Sequence, residues 1–246
     1  MLEDFLKYQA KTNPHPLGLE ISRANGNYLY DIDEKPYLDF VAGVSACPLG
    51  HSHPRVIKAI NDQIKKYMHV MVYGEFAQEP AIKLCEKLVQ LLPDNQNVVY
   101  LTNSGTEAVE GALKLAKKAT KRSGLIAAYK SYHGSTHGAL SLLGNEDQKK
   151  GYRPLLPGVN FIKFNQENDL KKINENTAAV ILETIQGGAG FVEPQNNYLK
   201  KVKKRCCEVG SLLILDEIQP GFGRTGKMFG FENYGISPDI VVMGKA

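Results

Sequence analysis

Long apolar runs are absent from this 246-residue sequence. No stretch approaches the roughly 20 apolar residues that a membrane-spanning helix needs. The opening Met1-Leu-Glu-Asp-Phe-Leu-Lys7 is too acidic and mixed for a secretory signal. Charge of one sign is scarce as well: 30 Lys and Arg against 26 Asp and Glu leave a net charge of only +4. The densest basic run, Lys200 to Arg205, lies in a helical pattern without interleaved aromatics. It reads as a solvated helix face, and no nucleic-acid partner is expected. Cysteine occurs four times, at Cys47, Cys85, Cys206 and Cys207. Two of these are adjacent, which suits neither a metal knuckle nor an ordinary disulfide framework, so they read as reduced thiols of a cytoplasmic protein. His51 and His53 lack a Cys or carboxylate cluster at ligand spacing and read as loop and helix-start residues rather than a metal site.

What is present is an ordinary globular composition, 43% apolar and 23% charged. The length allows one large α/β domain, or a domain with an appendage. Residues 1–47 differ in texture from the rest. Aromatic and polar residues alternate around a turn from Gly26 to Phe40, which predicts a small hairpin or meander. From 54 to 92 the apolar residues take helical spacing, first at Val56, Ile57, Ile60 and Ile64, then at Ala81, Leu84, Leu88 and Leu91. Beyond that, strands are expected at Asn97–Leu101, Leu125–Tyr129, Ala178–Leu182, 212–215 and Ile240–Met243, with helices from Thr106 to about Lys121 and from Tyr198 to about Val209. Alternation of this kind indicates α/β architecture, a mostly parallel sheet sandwiched by helices, with ligands at the carboxyl ends of the strands.

Four segments carry polar groups to those strand ends. Asn103-Ser-Gly-Thr-Glu-Ala108 opens a helix. Ser104, Gly105 and Thr106 there would present N–H groups and hydroxyls to a phosphate, or simply cap the helix. Tyr132-His133-Gly134 follows the second of these strands, and the ring of Tyr132 can stack on a flat heterocycle or serve as a core aromatic. Glu183 follows an apolar strand directly, where a carboxylate must be solvated or part of a polar site. Asp216 follows five residues, Ser211-Leu-Leu-Ile-Leu215, of which four are apolar, and needs a cationic or donor partner, a cap or an ion pair. Gln219 can reach the same mouth, and Lys245 ends the last strand. The run Gly221-Phe-Gly-Arg-Thr-Gly226 satisfies G-x-G-x-x-G. The following segment lacks a long helical stripe, and no acidic residue ends a second strand about 20 residues on, so a nucleotide-binding reading fails.

Taken in order, these segments, and above all Asp216-Glu-Ile-Gln-Pro-Gly-Phe-Gly-Arg-Thr-Gly226 with Lys245 29 residues after Asp216, resemble the class III aminotransferases of fold type I. The resemblance covers Gly18 to the carboxyl terminus. It implies pyridoxal 5'-phosphate as cofactor, with residues 1–47 as part of the small domain and 48–246 as the cofactor-binding large domain. By the same resemblance Lys245 is the Schiff-base lysine and Asp216 the partner of the pyridine nitrogen. Ser104, Gly105 and Thr106 hold the phosphate, Tyr132 stacks on the ring with His133 beside it, Glu183 supports the network, and Gln219 contacts the phenolic oxygen. The implied reaction is ping-pong transamination between a small amino donor and an oxo acid. An aminomutase, a decarboxylase or a non-catalytic remnant are the alternatives. A homodimer is implied too, with the loop Tyr73 to Pro80 near the neighbouring subunit.

The sequence departs from the ornithine and acetylornithine members of that family at two places. Ser135 stands where they carry an arginine for a substrate carboxylate, and Gly188 where they carry a glutamate. Members of the family also continue well beyond their lysine, so the chain is expected to be truncated after Lys245.

Overall fold

A computed structural model describes residues 1–71 and 74–245, which divide into two units, Met1–Phe76 and Ala77–Ala246. In the first, α1 (Leu2–Tyr8) precedes three strands, β1 (Ile21–Asn25), β2 (Tyr28–Asp31) and β3 (Pro36–Leu38), paired antiparallel in the order β1-β2-β3. This is the meander predicted from the alternation. Gly26, at φ 57, takes the first central position of the two-residue turn between Asn25 and Tyr28, where a Cβ would be strained. A single turn, α2 (Ala42–Ser45), and an eleven-residue helix, α3 (Pro54–Ile64), complete the unit. Proline at the first position of α3 costs no hydrogen bond, because that N–H has no helical acceptor.

The second unit carries α4 (Glu79–Leu91), α5 (Gly105–Thr120), β4 (Gly124–Ala128), α6 (His137–Ser141), β5 (Val159–Ile162), β6 (Thr177–Glu183), α7 (Tyr198–Val209), β7 (Leu212–Asp216) and β8 (Ile240–Val242). The five strands form an all-parallel sheet in the order β5-β4-β6-β7-β8. All seven residues of the central β6 are buried, as expected of a strand covered on both faces. Alternate residues serve opposite faces. Val180, Leu182, Leu213 and Leu215 join a core with Leu199, Val202 and Cys206 of α7. Ala179, Ile181 and Ile214 join another with Val109, Ala112, Leu113 and Ala116 of α5. The i, i+3, i+4, i+7 spacing of those α5 residues is one helix stripe, and burial of a side chain the size of Val109 or Leu113 contributes about 1.5–3 kcal/mol.

The segment Asn97–Leu101, expected as a strand, is not one. It makes no ladder among the described residues, and Val98 and Tyr100 are 85% and 79% exposed. A strand exists only through its neighbour. Here both Val98–Thr102 and the free edge of β8 line a largely apolar cavity of about 640 Å³ instead of bonding to each other. Conversely, the edge strand β5 is formed by a stretch whose sequence pattern did not announce it.

Candidate active site

The sheet register decides which polar residues meet. Glu183 is paired with Asp216 and Asp216 with Val242. The ends of β6 and β7 are therefore level, and Lys245 follows three residues beyond Val242 at the same edge. Lys245 is half-buried and adopts a left-handed backbone, φ 54. The side chain of Ile218, two residues past β7, fills the space beside both Gly105 and Gly244. A Cβ on Gly105 would lie 2.7 Å from its Cδ1. The start of α5 and the neighbour of Lys245 thus pack on one residue of the β7 loop.

Asp216 is buried with its carboxylate engaged at both oxygens. Ile218 N–H donates to Oδ1 at 3.0 Å, and His133 Nδ1–H donates to Oδ2 at 2.7 Å. The exposures of the two side chains, 4% and 0%, exclude water from this contact. A second, orphaned atom stands next to it: His133 Nε2 is buried without a hydrogen-bond partner among the described residues. Such atoms are rare and call for an explanation. Glu183, also buried, accepts Tyr132 N–H at 3.2 Å on one oxygen and Gly187 N–H at 3.1 Å on the other. Burial is the main reason its pKa is pushed up to about 7, with the His133 side chain opposing and Asp216 adding to the rise.

Tyr132 is 49% exposed, and its Oη lies 3.3 Å from Ser135 Oγ. Gln219 is held near Gly187, where a Cβ would fall 1.9 Å from its Oε1. A side chain at this position would have to displace the Gln219 amide. Beside Tyr132 a cavity of about 580 Å³ is lined by Lys130, Asn145, Glu146 and Gly188 among others. At the start of α5, Ser104 is the N-cap, and the Glu107 carboxylate reaches back to the residue before it. Glu107 N–H donates to Ser104 Oγ at 3.3 Å, and Asn103 N–H to Glu107 Oε2 at 2.9 Å. The structure therefore brings the Asp216–His133 pair and the Glu183–Tyr132–Gly187 group to one end of the sheet, with Gln219 beside Gly187 and Ile218 between Gly105 and Gly244.

Sequence reasoning passed over Glu217. It is fully buried and accepts a hydroxyl from Thr184, Gly230 N–H at 2.6 Å and Phe231 N–H at 3.0 Å. Desolvation raises its pKa, which these donors oppose. It fixes the far end of the glycine-rich loop to β7. The signal was the carboxylate adjacent to Asp216, on the opposite side of the strand. Glu110 and Thr136 were passed over too; no sequence spacing links them. In the loop from Tyr73 to Pro80, Tyr73 lies outside the described residues, and Phe76 is 56% exposed.

A parallel α/β sheet with a buried carboxylate, a histidine and a lysine at its carboxyl edge defines the class of site. The chain belongs to the class-III aminotransferase family, whose model matches residues 8–246. It is 40% identical over 229 residues to a LysW-aminoadipate semialdehyde/glutamate semialdehyde transaminase of Sulfurisphaera tokodaii, covering 93% of this chain and 59% of that protein. It is 39% identical over 227 residues to an acetylornithine aminotransferase of Archaeoglobus fulgidus, covering 92% and 60%. Among solved structures, an ornithine aminotransferase of Toxoplasma gondii superposes with a TM-score of 0.90 at 32% identity, over 100% of this chain and 60% of that one. The chain thus spans about three fifths of the length of the relatives it matches.

Proposed function

We propose that the whole protein is a pyridoxal-phosphate-dependent transaminase that moves an amino group from a small amino donor to an oxo acid, by a ping-pong route. The observation that carries this reading is the buried Asp216–His133 pair at the strand edge that also bears Lys245. The residues fit the cofactor. Asp216 has a buried carboxylate for a pyridinium N–H, and His133 Nε2 beside it is an orphaned buried nitrogen. When bound, the cofactor supplies an electron sink for charge developing at the substrate carbon.

The protein's own groups do the rest. Asp216 would hold the proton on the ring nitrogen, and His133, bonded to Asp216 Oδ2, would fix its orientation. With the cofactor bound, Tyr132 would cover one ring face and Gln219 would contact the phenolic oxygen. Ser104, Gly105 and Thr106 form the phosphate end. Glu183 ties the Tyr132 segment to the Gly187 loop. Lys245 Nζ anchors the cofactor and then carries a proton to and from the substrate carbon. Ser135 offers a single hydroxyl, so carboxylate recognition at this point is not the bidentate kind that arginine gives. This, with Gly188, argues for a substrate other than ornithine or acetylornithine.

The reading includes a homodimer in which residues 1–47 belong to the small domain and 48–246 to the large one. It is supported by the exposed stripe Val56, Ile57, Ile60 and Ile64 on α3, an unsuitable surface for an isolated subunit. No helix among the described residues is long and apolar enough to cross a membrane. The free cysteines support a cytoplasmic setting. The test is borohydride reduction of the full-length protein with pyridoxal phosphate, followed by peptide mapping. A stable pyridoxyl adduct on Lys245, and conversion of bound cofactor to its amino form by donor alone, are expected. An adduct elsewhere, or none, overturns the reading.

A further inference from the structure

The hydroxyl protons at the start of α5 are already in use. Ser104 Oγ–H donates to Glu107 Oε2 at 3.2 Å. Thr106 Oγ1 lies 2.7 Å from Thr136 Oγ1, and the direction of that bond follows from the rest of the chain of contacts. Thr136 Oγ1 donates to Glu110 Oε1 at 2.6 Å. That oxygen is an acceptor, because it also receives Gly138 N–H at 2.9 Å and Ala139 N–H at 3.1 Å. A threonine has one hydroxyl proton. Thr136 gives its proton to Glu110, so the proton between the two threonines is that of Thr106. Thr106 Oγ1 in turn accepts Thr136 N–H at 3.3 Å. Gly134, at φ 123, is what lets this loop lie against Thr106: a Cβ there would sit 2.4 Å from Thr106 Oγ1.

We infer that Glu110, through Thr136, is a positioning residue for the phosphate end of the site, and that Thr106 serves a phosphate through its backbone and not its hydroxyl. Glu110 Oε1 orders the turn at Thr136–Ala139. Thr136 then draws the Thr106 proton away from the mouth and pins the first turn of α5. The N–H groups of Gly105 and Thr106 have no acceptor among the described residues, and these are the donors left for a phosphoryl oxygen at the positive end of the helix. The inference rests on the cofactor reading above and corrects one detail of it, the hydroxyl of Thr106 as a phosphate ligand.

A double-mutant cycle on the full-length protein tests it. Thr106→Val, Thr136→Val and the double variant are titrated with pyridoxal phosphate, and with pyridoxal, which lacks the phosphate. Thermal melting confirms that each variant folds, and Thr136→Ser serves as the variant that keeps the hydroxyl. Because both valines break the same link, each should weaken pyridoxal phosphate about three- to tenfold. The double should be no weaker than about twofold beyond either single. Pyridoxal binding should stay within about twofold throughout, and Thr136→Ser should behave as the unsubstituted protein. A loss of about a hundredfold in Thr106→Val alone, with Thr136→Val unaffected, would make the Thr106 hydroxyl a direct ligand. That result, or effects that multiply, overturns the inference while leaving the cofactor reading intact. Failure of the unsubstituted protein to bind pyridoxal phosphate overturns the proposed function itself.

Discussion

Glu183 gives the fold a pH dependence that can be worked out in advance. Its carboxylate is buried at the end of β6 and its pKa rises from 4.5 to about 7, mainly through desolvation. A group whose folded-state pKa lies above its unfolded value stabilises the fold fully below the unfolded pKa and loses that contribution as pH rises through the folded one. At about 1.4 kcal/mol for each pH unit, ionising Glu183 costs the folded state about 3 kcal/mol between pH 4.5 and 7. The Tyr132 and Gly187 N–H groups, both donating to it, keep the cost from being larger. In Glu183→Gln that cost is absent. In its place comes a pH-independent penalty of about 1 kcal/mol, because the amide nitrogen cannot accept one of the two N–H bonds. Urea unfolding of the cofactor-stripped protein, with and without the substitution, at half-unit steps from pH 4.5 to 8 reads the difference directly. The parent protein should be the more stable by about 1 kcal/mol at pH 4.5, lose that lead below pH 6, and be the less stable by about 2 kcal/mol at pH 7. A stability difference that stays level across this range would refute the buried, proton-holding environment assigned to Glu183.

Three other outcomes are expected. Asp216→Ala should leave the start of α5 intact and retain weakened cofactor binding, while turnover of the full-length enzyme falls about a hundredfold or more; near-normal turnover removes Asp216 from its role. Glu217→Ala strips the acceptor from Thr184, Gly230 and Phe231 and should destabilise the protein by about 3 kcal/mol in urea unfolding, whereas a change under about 0.5 kcal/mol would show that the loop does not depend on it. Sedimentation of the full-length protein should give a dimer, and Ile60→Asp on the exposed stripe of α3 should shift it towards monomer; an active species that is monomeric at assay concentration contradicts the shared-site arrangement.

Helices were legible in this sequence because their signals are local. Ser104 and Glu107 announce the start of α5, and the spacing of Val109, Ala112, Leu113 and Ala116 announces its buried face. The central strands were legible because a strand buried on both faces reads as an unbroken apolar run, and Asp216 stood out as the charge that ends one. Its partner was another matter. His133 and Asp216 are 83 positions apart in sequence, and only the order β5-β4-β6-β7-β8 brings the β4 loop over the end of β7. Asn97–Leu101 failed for the same reason in reverse, since its composition suits a strand but a ladder needs a neighbour in register. The Glu110–Thr136–Thr106 relay was invisible, and Glu217, though adjacent to Asp216, gave no sign of its partners, because which way a carboxylate at a strand end faces, and which loop crosses a helix start, are set by packing. The sequence alone determined the helices, the central strands and the chemical types available at their ends. Tertiary structure decided which of those groups share a proton, because hydrogen bonds act over about 3 Å and that proximity is fixed by sheet order and side-chain packing, not by spacing along the chain.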